Sequence, residues 1–507
     1  MGRKIGVVLS YLLMIFEVLS TLLLTPFILR TLGQAEYGVF KLSAAVTAYM
    51  LLLDLGVGNA VTRYVAKFKV EGNIEQSRKF LGIATIYYAS IAILAIAIGA
   101  ILIMIFPTVF AKGLSEYETV LGQKLLGITM LNAAVTLGSA AYNNVILAYE
   151  KFVISKGTSI IIIIIKISFT YLALKCGMGS IGIVLVNFIT TVLCRGFFVL
   201  YVLFGLKLIP KFKGIEIGFV KEIVLYSSFI LLQMIATQLN STIDQILIGA
   251  LVTSSSVVLA VYSVGTQIVQ YYQSIGSAFT GVLMPGIVKM VEEKAGSQKL
   301  TNEMIRIGRI IFMVLAFISG GFLVLGRDFI ILWAGQENSQ SYIVAIILMT
   351  AYLFILTESI GTQILWAMNQ HREQAILKIV IVLLNIVLTV FLIRINPLIG
   401  ATIGTFISLV LGDIVVMNII FVKKIGINLF YYYREIFKGI VPCLFISTII
   451  GFISNTLISG GWGALIFNIA VMCVVYAVTM LMFGLNKYEK KLIISIAQKI
   501  FKKSGGK

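Results

Sequence analysis

Charge is scarce in this 507-residue chain: Asp, Glu, Lys and Arg together make up 12% of it, about half the share of an ordinary soluble domain. No polar stretch is long enough to be a soluble domain, and the longest, residues 289–302, is a loop-sized link. The single histidine, His371, stands beside Arg372 in a short loop and reads as a solvated residue, not a ligand. Four cysteines (Cys176, Cys194, Cys443 and Cys473) are scattered without a CxxC spacing. They support neither a disulfide framework nor a thiolate metal centre. Gly56 and Gly58 make a GxG inside a hydrophobic run with no strand before it, which does not support a dinucleotide site. There is no P-loop, so an ATP motor would have to be a separate protein. No nucleophile constellation or metal triad is evident either. The expectation is a non-enzyme with no catalytic residues, no metal and no resident cofactor.

What the chain has is apolar length. Hydrophobic residues make up 59% of it, with a mean hydropathy of +1.03. A bilayer span needs roughly 20 apolar residues, and runs of that size recur at 5–29, 39–66, 80–106, 121–148, 157–175, 181–204, 223–250, 257–285, 304–326, 341–368, 374–394, 398–422, 439–458 and 463–484. The runs are continuous, without the period of two of barrel strands, so the fold class is an all-α polytopic membrane protein with about fourteen transmembrane helices. Lysines and arginines gather on every second loop: 31 on one side, six on the other. The positive-inside rule places both termini in the cytoplasm. The +19 net charge is then explained by membrane-flanking loops and anionic membrane lipids, with no nucleic-acid partner. Arg3 and Lys4 precede a run too long for a cleaved signal, so the first helix reads as a signal anchor.

The sequence divides into a six-helix lobe over 1–210, a second over 211–430, two additional transmembrane helices over 431–484, and a basic tail over 485–507. Two halves in one orientation suit a parallel-repeat transporter with its site between halves. In the tail, Leu492, Ile493, Ile496, Ile500 and Phe501 recur at helical spacing among lysines, as in an amphipathic surface helix.

Polar residues line up inside the spans. Asn132, Thr136, Ser139 and Asn143 share one face of span 4, and Asn187, Thr191 and Arg195 one face of span 6. Gln233, Thr237, Asn240 and Asp244 mark span 7; Thr266, Gln270, Gln273, Ser277 and Thr280 mark span 8. Such faces avoid lipid, and either line a hydrated cavity or bond helix to helix. Deep charges are costlier, at roughly 2.5–3.5 kcal/mol each. Lys166 and Arg195 lie deep in the first half, with Glu17 and Asp54 as counter-ion candidates; Arg63 sits nearer the cytoplasm and suits an interfacial anchor or a lumen. In the second half the deep charges are Asp244, Glu358 and Asp413. A basic first half suits an anionic substrate, and an acidic second half suits Na+ or H+ as coupling ion. Internal salt bridges would explain the same charges.

Two stretches carry a family likeness: Thr25-Pro26-Phe27-Ile28-Leu29-Arg30-Thr31-Leu32-Gly33-Gln34-Ala35-Glu36-Tyr37-Gly38, and Leu53-Asp54-Leu55-Gly56-Val57-Gly58-Asn59-Ala60-Val61-Thr62-Arg63-Tyr64. Both resemble the N-terminal pattern of polysaccharide transporters, the O-antigen and capsule flippases of the multidrug/oligosaccharidyl-lipid/polysaccharide exporter superfamily. The resemblance implies two six-helix lobes in a V shape that open alternately to each side. It also implies a cargo, an undecaprenyl-diphosphate-linked oligosaccharide, flipped across a bacterial inner membrane alongside other membrane proteins of polysaccharide assembly. Lys166, Arg195 and Arg63 would then face diphosphate or acidic sugars, and Asn132, Asn143, Asn187, Gln233, Asn240, Gln270 and Gln273 the sugar hydroxyls. Related multidrug members carry coupling acids on spans 7 and 10, which match Asp244 and Glu358 by span and residue type. The alternatives are a multidrug cation antiporter of the same superfamily, a membrane-bound glycan polymerase or ligase, and a non-transporting scaffold. The polymerase would want a larger outer loop than this chain has.

Overall fold

The computed structural model describes residues 2–212, 217–281, 284–368 and 370–491. Among them the α-helices are α1 (Gly2–Ala48), α2 (Val57–Val70), α3 (Ile74–Phe110), α4 (Glu116–Gly138), α5 (Ala140–Ala148), α6 (Phe152–Lys175), α7 (Gly179–Leu200), α8 (Ile217–Leu251), α9 (Ser255–Gly281) and α10 (Met284–Glu292). They continue with α11 (Ser297–Ala334), α12 (Ser341–Thr357), α13 (Ser359–Ala367), α14 (His371–Leu392), α15 (Pro397–Leu409), α16 (Met417–Ile425), α17 (Leu429–Phe437), α18 (Ile440–Leu457) and α19 (Gly461–Thr479). No strand occurs among the described residues. The protein is an all-helical, multi-pass membrane protein.

By length and composition ten described helices can cross a bilayer, or eleven if the bent pair α12–α13 counts as one span. The expected total of about fourteen is therefore not reached on this measure. One cause is visible: expected spans 5–29 and 39–66 fall in one helical stretch, Val8–Val70. Two others correspond to α8 and α9, which are not among the ten. The long α1 is in fact two helices. Gly33 interrupts it at φ 74°, ψ 173°, a backbone shape only glycine takes readily. A Cβ there would meet nothing within 4 Å, so the requirement is conformational. Pro26 lies seven residues earlier inside the same helix, and the first family stretch thus builds the turn between the first two spans.

Large apolar side chains remain exposed along the helices, among them Leu23, Ile93, Met104, Phe204 and Phe391. On a membrane-spanning chain this is the lipid-facing surface. Helix ends are capped where polar chemistry returns. Ser115 and Glu118 form a capping box on α4, Asn73 caps α3, and Asn428 caps α17.

Contacts divide the chain into two units. The first comprises Met1–Ser263 with Lys378–Thr405, and the second Val264–Leu377 with Phe406–Lys507. In the first, a core of Val61, Val65, Leu81, Tyr88, Ala141, Val145 and Ile146 joins α2, α3 and α5. The link after α7 is held to α3: Lys211 N donates to Arg78 O at 3.0 Å and Arg78 Nη2 to Lys207 O at 2.9 Å. In the second unit, α11 packs on α19 through Leu325, Leu465 and Met472, and α18 packs against both. A buried ion pair fastens the end of the chain there. Arg309 donates through Nε to Glu489 Oε1 at 2.6 Å and through Nη2 to Oε2 at 3.1 Å, and also to the carbonyls of Glu435, Lys438 and Gly484. Arg309 is thus buried. Residues 487–491 begin a helix; the amphipathic pattern from Leu492 to Phe501 lies outside the described residues.

Candidate functional site

The second family stretch breaks its span. A 3-10 turn over Tyr49–Asp54 ends at Leu55 in the left-handed region (φ 53°), Gly56 follows at φ 74°, and α2 then begins. Irregular backbone at such depth occurs where it is buried in protein or lines a polar cavity. At the break Asp54 Oδ1 accepts a hydrogen bond from Tyr88 at 2.5 Å, and Asp54 O one from Tyr87 at 3.5 Å. Asp54, expected as a counter-ion, is held here by a tyrosine hydroxyl. In the first stretch Glu36 accepts the backbone N–H of Ser180 at 2.6 Å, at the start of α7. That residue is therefore structural.

Lys166 sits on α6, half-buried, and the charge acting on it is Glu17, on α1. No hydrogen bond or ion pair joins Lys166 to another described residue, and the same holds for Arg195, half-buried on α7. Arg63 is exposed on α2. Of the polar set, Asn132 and Asn240 are half-buried, each with its side-chain oxygen buried and without a donor. Asn143 and Asn187 are half-buried, Gln270 is exposed and Gln273 half-buried. The side chains of Gln233, Thr280 and His371 lie outside the described residues.

The three acids of the second half are all buried, and they fall into two clusters. Asp244, on α8 in the first unit, is ringed by hydroxyls. Tyr262 donates to Oδ2 at 2.6 Å, Thr405 donates to the same oxygen, and Thr389 donates to Oδ1 at 3.3 Å. Asn385 Oδ1 accepts from Thr389 at 2.9 Å and from Thr405 at 3.3 Å, and its Nδ2 is buried. In the second unit Glu358 stands at the break between α12 and α13, where the axis bends by 42°. Its Oε1 accepts from Tyr433 on α17 and from Asn418 Nδ2 on α16 at 2.9 Å. Asp413 lies in a π-helical segment, Val410–Val416, near enough for its charge to act on Glu358. Among the described residues no three His, Cys, Asp or Glu side chains come together.

Tyr88, Tyr262, Asn385, Thr389, Thr405, Asn418 and Tyr433 were not read from sequence as site residues. Asn385 and Thr389 are four apart on α14, a spacing that does signal a shared face. Tyr433 carried no signal, because it comes from a helix between spans.

A family model described as polysaccharide biosynthesis protein matches residues 6–291, more than half of the chain. The chain belongs to this family. The uncharacterized membrane protein EpsK of Bacillus subtilis (strain 168) is 21% identical over 97% of this chain and 96% of its own. Among solved structures, the lipid II flippase MurJ in an inward closed conformation superposes with a TM-score of 0.74, at 15% identity, over 97% of this chain and all of MurJ. An inward-facing multidrug resistance MATE transporter of the MOP superfamily gives a TM-score of 0.62 at 13% identity, over 80% and 95% of the two chains. At these identities the likeness is one of fold.

Proposed function

We propose that this polysaccharide-biosynthesis protein is a flippase. It moves an undecaprenyl-diphosphate-linked oligosaccharide, of the O-antigen or capsule kind, from the cytoplasmic to the outer leaflet of a bacterial inner membrane by alternating access. The observation that carries the reading is the pair Lys166 and Arg195. Two cations stand at membrane depth, half-buried, without an ion pair to any described residue. A charge there needs a partner, and guanidinium and ammonium groups suit a diphosphate. The half-buried amides Asn132, Asn143, Asn187 and Asn240 offer hydroxyl-binding chemistry. The polar head travels through protein while the polyprenyl tail stays in lipid. On this reading the lobes 1–210 and 211–430 rock against each other, both termini are cytoplasmic, and other polysaccharide-assembly proteins are the membrane partners. Buried Asp244, Glu358 and Asp413 supply carboxylates for coupling to Na+ or H+.

The test is flipping of a fluorescent undecaprenyl-diphosphate glycan in proteoliposomes, read by outside-only quenching, with a lipophilic cation dye in parallel. Protein-dependent glycan movement that falls at least tenfold in Lys166→Gln and Arg195→Gln, about the loss of one charged contact, supports the flippase. Dye movement with a static glycan supports the multidrug antiporter instead.

A further inference from the structure

We infer that the end of the second unit where α11 meets the α18–α19 turn is a carbohydrate-binding platform. Trp462 supplies a stacking surface and Asp328 a hydroxyl acceptor for an uncharged pyranose. The occupant rests on the flippase reading, in which a glycan emerges on this side. The platform itself can be tested with soluble sugars and no transport.

The first support is position along the span. α11 is fastened to the end of the chain through Arg309 and Glu489. Asp328 lies further along the same helix, about 28 Å away at 1.5 Å per residue. That is close to the thickness of the hydrocarbon core. Asp328, the exposed Arg327 before it and Trp462 therefore stand at the membrane surface opposite the end of the chain. With both termini cytoplasmic, this is the outer surface.

The second support is the ring cluster. Two of the chain's three tryptophans meet here around Phe329. Trp333 is buried and stacks on Phe329, with ring centres 5.6 Å apart and planes at 14°. Trp462 meets Phe329 at 6.3 Å and 85°. Held in this way, Trp462 is still 47% exposed. It stands in the run Gly460-Gly461-Trp462-Gly463, and a Cβ on any of these three glycines would meet nothing within 4 Å. A ligand can thus approach the indole past bare backbone. An indole accepts the C–H face of a pyranose through dispersion and through the negative charge of its own face.

The third support is a polar group held ready beside the rings. Asp328 adjoins Phe329 in the chain, and its Oδ2 accepts from Asn455 Nδ2 at 3.0 Å. Asn468, fully buried on α19, donates to Asn455 Oδ1 at 3.0 Å and to Ile458 O at 2.9 Å. Ser454 in turn donates to Asn468 Oδ1 at 2.6 Å. These bonds tie the last turn of α18, the turn after it and α19 to α11, and such a shell fixes a binding geometry in advance. Asp328 is half-buried, and its Oδ1 takes no donor from a described residue. A carboxylate held by one oxygen and open at the other suits sugar hydroxyls. A tryptophan that only anchors a span at the headgroups needs no such acid beside its partner ring.

The experiment is saturation-transfer difference NMR on the full chain in lipid nanodiscs, with soluble cellotetraose, chitotetraose and maltotetraose as probes. Nanodiscs avoid the sugar headgroups of glycoside detergents. At least one probe should receive saturation at its ring C–H protons. The signal should vanish in Trp462→Ala and persist in Trp462→Phe, which keeps a ring, and in Trp366→Phe, which lies outside the cluster. Asp328→Asn should weaken binding about tenfold, the loss of one charged hydrogen bond. Silence from all three sugars overturns the inference, as does a signal that survives Trp462→Ala unchanged. Silence together with quenching of Trp462 by headgroup-proximal brominated lipid would assign the ring to the lipid interface alone. Sugar binding without glycan flipping would keep the platform and sink the flippase. Flipping without sugar binding would do the reverse.

Discussion

Asp244 and Glu358 look alike in sequence: single acids deep in apolar spans of the second half. Their surroundings differ in kind. Asp244 takes hydroxyl donors on both oxygens, and the amide beside it, Asn385 Nδ2, is a further donor. Glu358 has both its donors on one oxygen, and the unmet groups beside it are acceptors. Burial alone therefore does not describe the state of a buried acid. The balance of donors and acceptors around the carboxylate does, because a saturated acid is structural chemistry and an under-donated one calls for positive charge.

The largest effect comes from a buried carboxylate paired with a base, and it calibrates Asp244 and Glu358. Arg309→Ala leaves Glu489 buried and unpaired, and should destabilise the chain by about 3–5 kcal/mol. It should also release the end of the chain from α11, read as faster proteolysis after α19. If the unfolding midpoint in detergent stays put, the method does not sense buried charge and the comparison needs another readout.

Next in size is Asp244→Ala. Tyr262, Thr389 and Thr405 would each lose an acceptor, at about 1–3 kcal/mol for any hydroxyl that finds no replacement. Some loss should be recovered because Thr389 and Thr405 already share Asn385 Oδ1. Glu358→Gln should move the other way in Na+-free buffer. It removes a buried charge and places an N–H donor where Oε2 was, for a gain of about 1 kcal/mol. Opposite signs at the two acids would establish the contrast. Equal losses at both would mean that Glu358 is as well satisfied as Asp244.

The spans, the polar stripes and the deep acids were legible because hydropathy and helical spacing are local properties of the chain. Both family stretches were legible as motifs, yet their work was not. Gly33 turns the chain, Glu36 meets the start of α7, and the Leu55–Gly56 break presents Asp54 to Tyr88. What sequence could not supply was partnership across the fold. Asp244 meets Thr389 and Thr405 from 145 and 161 residues away, and Glu358 meets Tyr433 from 75. Arg309 shows the same. Its partner Glu489 lies 180 residues on.

The smallest effect is at an exposed carboxylate that also has a base. Lys211 Nζ lies 3.0 Å from Glu75 Oε1, with the two side chains 46% and 59% exposed. Water and salt screen such a pair, and holding two long side chains together offsets most of its attraction. The link it decorates is already held by a backbone bond from Lys211 N to Arg78 O and by the Arg78 side chain on Lys207 O. Lys211→Ala should therefore leave the unfolding midpoint unchanged within error at physiological ionic strength. At the distance of a strong hydrogen bond, this pair differs from Arg309–Glu489 chiefly in solvent access. A large loss here would show that proximity alone sets stability in this chain. The donor count at Asp244 and Glu358 would then say little about which acid is the costlier to bury.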